Sequence, residues 1–293
     1  MSIENTGLNT TGEMKLPKMT VIFTLNKRTE DEMSKVFESF YGQDYDQMII
    51  VLDRPEPGVA NYATNWWADS ASKVKPIFVP VEGPPGWLGP ARAWNAGFKH
   101  IEHELTYCIS SEVIQSPGNC ARAKKHLSGP PLVVFGRATD DGPMPVVNSP
   151  DPNVLCSAKM MRPLGFIMAL PTWIFRAING FDEKFMEGYW YDDDDLTYRM
   201  WRLGVPYLFD DEIVGVHQHH DRPDLSTPRG QEMIKKNSDY IKSRWGSEHP
   251  WNDKIGGYTQ GEKRSIVYPL AAPALDDYYQ ALVDGVSVGV TGK

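Results

Sequence analysis

Short apolar runs alternate with amphipathic stretches over the first 110 residues, and this alternation constrains the fold more than any other feature. Four runs are of the buried-strand type: MTVIFTL at 19–25, MIIVLD at 48–53, KPIFVPV at 75–81 and LTYCIS at 105–110. Helical patterns separate them. The order βαβαβαβ predicts an α/β fold with a Rossmann-like, mostly parallel central sheet flanked by helices.

The residues that follow the four runs are the first candidates for a binding site, because ligands of such sheets bind beyond the carboxyl ends of the strands. Asp53 ends a buried run, where a carboxylate can accept hydrogen bonds from a ring N–H or a ribose hydroxyl; a turn-forming Asp before Pro55 is the alternative. Arg92 and Asn95 lie three residues apart near a helix start and can both face this site. A guanidinium there can bind phosphate, although an ordinary surface arginine explains Arg92 as well.

Four consecutive aspartates follow three aromatic residues in GYWYDDDDLTYR, at 188–199. Leu196, Met200 and Leu203 recur at helical spacing after them, so the aspartates occupy the first turn of a helix. Capping and the helix dipole account for one or two of the carboxylates. The others require a cation, a proton or water to offset their repulsion, which makes this turn a candidate catalytic or metal site.

Composition excludes several classes of protein. The 293 residues are 41% hydrophobic, enough for a large core, and the net charge of −8 argues against a protein that binds the phosphates of long nucleic acids. Cys108, Cys120 and Cys156 form no CxxC pair and indicate a reducing compartment. Neither a transmembrane run nor a signal-peptide pattern occurs, so we expect a cytoplasmic protein, at most peripheral to a membrane.

Five motifs in the right order resemble those of the family-2 glycosyltransferases, which have the GT-A fold and move a sugar from a nucleotide-sugar donor to an acceptor. VIFTLNKR resembles the family's opening strand and PTYNR turn, IIVLDRPEPG its IIVVDDGSTD, and GPARAWNAGFKHI its G-x-ARN-x-G helix. INGFDEKFMEGYWYDDDDLTYRMWRLG is similar to the segment GGFDE…ED-x-DL-x-R…G, and YIKSRWG is similar to F-x-x-KWG. The resemblance implies a GT-A domain at 17–246. A flexible tail at 1–16 precedes it, and an extension at 247–293 packs on the domain or on a partner subunit.

The resemblance also implies roles for individual residues. Asp193 falls on the motif's Asp, the general base toward the acceptor hydroxyl, and Asp192 falls on its Glu. Asp195 and Arg199 match positions that secure the helix. A single in-line displacement would invert the anomeric carbon. The donor site that follows from the motifs and the strand ends comprises Thr24, Asn26, Arg28, Asp53, Gly89, Arg92, Asn95 and Ser111.

Aromatic residues are the candidates for binding the acceptor. Tyr189, Trp190 and Tyr191 can stack on sugar rings, with burial in the core as the alternative. Trp87 can be the apolar contact of a lid in EGPPGWLGP, which is otherwise a rigid Pro-rich surface loop. No loop carries a readable code for the acceptor, so a glycan, a lipid-linked sugar, a protein and a modified nucleic acid base all remain open, as does a homo-oligomer.

One motif departs from the family pattern. Where the family carries Asp-x-Asp for Mn²⁺ or Mg²⁺, this chain has Ser110, Ser111 and Glu112. Glu112 can still supply one oxygen ligand. The family often places a histidine after the next strand, and GVHQHHDRP offers His217 first, with His219 and His220 close behind, unless these are incidental loop histidines. We therefore expect a divalent metal held by Glu112, His217 and His219.

Three functions fit these observations to different degrees. The first is a metal-assisted, inverting glycosyltransferase that uses a UDP-sugar or a related donor. The second is a catalytically weakened relative that binds a nucleotide or a glycan, which the altered metal motif would mark. The third is a sugar nucleotidyltransferase, but its Gly-rich phosphate loop is missing from TLNKRTEDE after the first strand.

Overall fold

The computed structural model describes residues 16–83, 88–141, 154–158, 161, 163–220, 224–246 and 264–267, with 155 and 264–267 described by their backbone alone. The strands are β1 (Met19–Leu25), β2 (Gln47–Asp53), β3 (Ile77–Val81), β4 (Leu105–Ile109), β5 (Val113–Gln115), β6 (Val133–Asp140), β7 (Val154–Cys156), β8 (Ile167–Pro171), β9 (Tyr207–His217) and β10 (Arg264–Val267). The helices are α1 (Glu30–Glu38), α2 (Val59–Asp69), α3 (Ala91–Phe98), α4 (Asn119–Leu127), α5 (Thr172–Ala177), α6 (Asp192–Arg202) and α7 (Pro228–Trp245), and a 3₁₀ helix spans Glu183–Glu187.

One sheet runs through the molecule in the order β10-β9-β6-β8-β4-β1-β2-β3. The four strands predicted from the apolar runs lie side by side, and β1 pairs in parallel with β2 and β4 while β2 pairs in parallel with β3. Helices connect these strands, as the alternation predicts. The carboxyl ends of the first, second and fourth strands therefore meet at one edge of the sheet.

The second half of the sheet is mixed, which corrects the expectation of a mostly parallel sheet. β8 pairs antiparallel with both β4 and β6. β9 pairs in parallel with β6 and antiparallel with β5. A strand that is buried on both faces is a continuous apolar run whether it pairs in parallel or antiparallel. The runs after residue 128 therefore could not reveal the antiparallel pairings.

A glycine brings α3 directly onto the sheet. A Cβ atom at Gly97 would lie 2.5 Å from Ile22 Cδ1 and 2.5 Å from Val51 Cγ2. Any side chain at this position would push the helix away from β1 and β2. The glycine thus allows the last turn of α3 to pack directly on β1 and β2.

Polar contacts of Asp195 join the last two helices to the domain. The Asp195 carboxylate accepts hydrogen bonds from Arg199 Nε at 2.8 Å and from Trp245 Nε1 at 2.8 Å. Arg199 Nη1 also donates to the carbonyls of Ile178 and Gly180. These contacts hold the first turn of α6 in place.

The described part of the C-terminal extension is β10, which pairs antiparallel with residues 207–210 of β9. Residues 1–15 of the predicted N-terminal tail lie outside the described residues, as do Trp87 and most of the loop at 140–151. Among the described residues, no helix combines the length and the apolar character needed to cross a bilayer.

Candidate active site

A cavity of about 250 Å³ lies at the carboxyl ends of β1, β2 and β4. It brings together eight of the residues predicted from the sequence: Thr24, Asn26, Arg28, Asp53, Ser111, Glu112, Asp192 and Asp193. The strand ends supply the first six, and the start of α6 supplies the two aspartates from the other side. This cavity is the candidate active site.

Asp53 is paired with its neighbour in the chain. Arg54 Nε and Nη2 donate to the two oxygens of the Asp53 carboxylate at 2.7 and 2.9 Å, and Nη2 also approaches the Gly89 carbonyl at 3.3 Å. Arg54 has a positive φ of 46°, a conformation that non-glycine residues rarely adopt. The carboxylate and the guanidinium therefore line the cavity as one unit, with an acceptor and a donor side by side.

Glu112 is the centre of a charged cluster. Its Oε2 atom accepts hydrogen bonds from Arg28 Nη2 at 2.8 Å and from Ser111 Oγ at 3.1 Å, while Oε1 lies 3.3 Å from His217 Nε2 and 3.9 Å from His220 Nε2. Burial alone would raise the pKa of Glu112, but His217 and Arg28 outweigh it and hold the pKa well below its usual range. The carboxylate is thus ionised, with one oxygen directed at the two imidazoles.

One of the three predicted metal ligands is different in the structure, where His220 takes the place of His219. The ring centroids of His217 and His220 lie 5.3 Å apart, whereas His219 is exposed and its backbone N–H donates to Asp141. Gln218 N donates to the Glu112 carbonyl at 2.9 Å, which holds the chain beside Glu112 past the end of β9. His220, and not the predicted His219, joins the cluster.

The donor set fits a divalent metal. Glu112, His217 and His220 each offer one ligand atom, and the three atoms lie within 4.8 Å of one another. One carboxylate oxygen with two imidazole nitrogens suits Mn²⁺ better than Mg²⁺, which prefers a shell of oxygen ligands. Ser110 also lines the cavity, but a neutral hydroxyl does not restore the charge of the missing aspartate.

The two aspartates that line the cavity have different surroundings. Asp193 Oδ2 accepts a hydrogen bond from the backbone N–H of Gly165 at 3.3 Å. Burial raises the pKa of Asp192 to about 6; the charges of Asp194 and Asp195 act in the same direction, while the backbone N–H groups of residues 192 and 193 oppose it. A carboxyl group with this pKa exchanges protons close to neutral pH.

The three predicted acceptor residues that the structure describes are not among the residues that line this cavity. Trp190 is 57% exposed, and Tyr189 and Tyr191 are partly exposed. Trp190 and Tyr191 both have positive φ angles, of 66° and 69°, immediately before α6. Asn237 Nδ2 donates to the Trp190 carbonyl at 2.9 Å, which fixes this unusual turn and so the start of the helix.

Three predicted donor residues also lie elsewhere. Gly89 touches the site through its carbonyl alone, and Arg92 is exposed and does not line the cavity. The Asn95 side chain donates to the Phe181 carbonyl at 2.9 Å and accepts from the Phe181 N–H at 2.8 Å. Asn95 lines a separate cavity of about 750 Å³, so its described contacts are structural.

Three described residues of the site were missed in the sequence, and His220 was only an alternative to His219. Arg54 and Gly165 contact the predicted residues, and the buried Asp140 lies behind His217 with 3.6 Å between Oδ2 and Nδ1. A charged residue next to a strand-end Asp was a signal for Arg54. Gly165 and Asp140 had no local signal.

Comparison with known proteins identifies the fold. No family model matches the sequence, and no curated protein does so either. Among solved structures, the chain is similar to the mannosyltransferase PcManGT from Pyrobaculum calidifontis in complex with GDP-Man and Mn²⁺, with 16% identity and a TM-score of 0.58 over 80% of this chain and 66% of that one.

Two further structures agree. S. aureus TarS 1–349 in complex with UDP-GlcNAc is 14% identical, with a TM-score of 0.55 over 77% of this chain and 66% of that one. GalNAc-T7 with UDP, GalNAc and Mn²⁺ is 10% identical, with a TM-score of 0.53 over 78% of this chain and 50% of that one. The chain spans about two thirds of the first two proteins and half of the third. The predicted GT-A fold is confirmed.

Proposed function

We propose that this chain is a metal-assisted glycosyltransferase that moves a sugar from a nucleotide-sugar donor, a UDP-sugar, to an acceptor hydroxyl with inversion at the anomeric carbon. One observation carries the proposal: a single cavity is lined by Asp53, Glu112 and Asp193. These carboxylates offer contacts for a nucleotide, for a metal with its diphosphate, and for the proton of an acceptor. The GDP-Man, UDP-GlcNAc and UDP bound by the similar structures support it.

Two positive groups, a divalent metal ion and the Arg28 guanidinium, can bind the diphosphate of the donor. Glu112, His217 and His220 would hold a divalent ion, which when bound neutralises phosphate charge and stabilises the leaving group. The Arg28 guanidinium lies 2.8 Å from Glu112 Oε2 and can bind phosphate oxygens in the same cavity. In this proposal Arg28 offsets part of the charge lost with the Asp-x-Asp motif.

The Asp53 and Arg54 pair favours one class of nucleobase. A carboxylate oxygen accepts from a ring N–H, and the neighbouring guanidinium donates to a ring carbonyl. Uracil and guanine present an N–H beside a C=O, whereas cytosine and adenine present an acceptor nitrogen beside an amino group. Uridine and guanosine nucleotides should therefore bind better than cytidine and adenosine nucleotides.

Asp193 is the base in this proposal. Its carboxylate accepts from the Gly165 N–H, on another segment that lines the cavity, whereas Asp192 accepts from the N–H groups of its own helix turn. The acceptor hydroxyl loses its proton to Asp193 as its oxygen forms a bond to the anomeric carbon. The bond from that carbon to the phosphate oxygen breaks, and its electron pair leaves with the nucleoside diphosphate.

Calorimetric titration tests the proposal. The full chain is titrated with UDP, UDP-glucose, GDP, GDP-mannose, CDP and ADP, first with Mn²⁺ and then with EDTA. We expect metal-dependent binding of UDP or UDP-glucose and no binding of CDP or ADP. The absence of nucleotide binding under every condition would reject the transferase assignment.

The altered metal motif favours a second candidate, a nucleotide-binding relative that does not turn the donor over. Hydrolysis of the bound nucleotide-sugar, followed by release of UDP, separates the two candidates. Slow, Mn²⁺-dependent UDP release that Asp193→Asn abolishes supports the enzyme. Binding without release, in wild type and variant alike, supports the binding protein.

A further inference from the structure

We infer that Asp140 is a positioning residue for the proposed metal site: it accepts the Nδ1–H of His217, which leaves Nε2, on the Glu112 side of the ring, as the nitrogen that would bind a metal. The inference rests on the proposed metal-dependent function. It adds a residue that does not itself offer a ligand atom to the cluster of Glu112, His217 and His220.

The backbone fixes Asp140 and His217 beside each other. They are register partners at the ends of the parallel strands β6 and β9. The Asp141 N–H also donates to the His217 carbonyl at 3.1 Å, which continues the pairing by one residue. The distance between the two side chains is therefore set by the central sheet and not by a surface loop.

The imidazole of His217 lies between two carboxylates. Nε2 is 3.3 Å from Glu112 Oε1, and Nδ1 is 3.6 Å from Asp140 Oδ2. The Asp140 side chain is 0% exposed and that of His217 is 2% exposed. The ring of Phe166 packs edge-on against His217 at 5.2 Å, so it restricts rotation of the imidazole.

The two nitrogens face different groups, and the surroundings of Nδ1 favour a proton on that atom. Within the described residues Nδ1 is buried and makes no hydrogen bond, and a small rotation brings it within bonding distance of Asp140. Glu112 already accepts hydrogen bonds from Arg28 and Ser111 on its other oxygen. A proton on Nδ1 satisfies the buried nitrogen and leaves Nε2 available as a ligand.

Histidine NMR of the metal-free protein tests the tautomer directly. The full chain contains seven histidines, and labelling them with ¹⁵N allows long-range ¹H–¹⁵N correlation of each ring in EDTA. His217→Gln identifies the signals of His217. We expect a proton on Nδ1 of His217 in the wild type, and an Nδ1 without a proton would overturn the inference.

Substitutions of Asp140 test its effect on Mn²⁺ binding in the absence of nucleotide. Asp140→Leu removes the acceptor, and we expect about 10- to 100-fold weaker Mn²⁺ binding by EPR together with loss of the Nδ1–H preference. Asp140→Asn retains an acceptor oxygen and should lose less. Asp141→Asn is the matched control, because this neighbouring carboxylate is exposed and contacts the His219 N–H instead.

The outcomes separate the inference from the proposed function. Unchanged Mn²⁺ affinity and an unchanged tautomer in a folded Asp140→Leu protein would reject the positioning role. If that variant does not fold, the wild-type tautomer and the Mn²⁺ affinity of Asp140→Asn decide. The expected tautomer and Mn²⁺ affinities, with no nucleotide binding, would reject the transferase and leave the positioning role intact.

Discussion

Replacement of Asp192 by asparagine should stabilise the protein above pH 6. Burial raises the pKa of Asp192 from its ordinary value of 3.8 to about 6, so the folded state favours the protonated carboxyl group. At about 1.4 kcal/mol per pH unit, the ionised group costs about 3 kcal/mol at pH 8. Because Asp192 lines an open cavity, where water screens the charge, we expect a gain of about 1–3 kcal/mol from Asp192→Asn.

The stability difference between Asp192→Asn and wild type should depend on pH in one direction. The protonated Asp192 favours folding fully below about pH 4, and this contribution is lost as the pH rises through 6. Urea unfolding of wild type and variant at pH 4, 6 and 8 should therefore show a difference that grows with pH and is near zero at pH 4.

Asp69→Asn is the control for this experiment, because it removes one exposed negative charge from a chain of net charge −8. If both variants gain the same stability at pH 8, general charge repulsion explains the result. A variant Asp192→Asn that is no more stable than wild type at pH 8 would refute the reasoning about burial.

Three further predictions concern the site and its support. Asp193→Asn should lower turnover by about 10²- to 10⁴-fold and leave the affinity for UDP unchanged, as kinetics and calorimetry would show; equal turnover would exclude the base role. Glu112→Gln should weaken binding of Mn²⁺ and of UDP together, and an unchanged Mn²⁺ titration would contradict the ligand role. Gly97→Ala should destabilise the fold by about 1–3 kcal/mol in urea, because the new Cβ would lie 2.5 Å from Ile22 and Val51 side-chain atoms.

The strand ends were predictable because apolar runs identify buried strands, and the carboxyl ends of parallel neighbours meet at one edge of a sheet. This reasoning alone brings Thr24, Arg28, Asp53 and Glu112 into one cavity. The start of α6 was equally readable, since the aspartates precede a clear helical period. The motif order then placed Asp193 opposite the strand ends.

Contacts that depend on the direction of a single helix or turn were not predictable. His220 lies beside His217 in place of His219 because of the path of the chain after β9, and Asn95 faces Phe181 because of the rotation of α3. Asp140 meets His217 only through pairing of β6 with β9, strands far apart in sequence. Spacing within a motif contains no information about such pairings.

The pairing of β10 with β9 also determines where the domain can be cut for expression. A chain shortened to Gly246 would keep α7 but leave the N–H and C=O groups of residues 207–210 without β10 at the sheet edge. An uncovered edge of this kind is a template for strand addition between molecules, and aggregation is its usual result. The shortest fragment suited to crystallisation therefore extends past Val267, although every described residue of the candidate active site lies before Gly246.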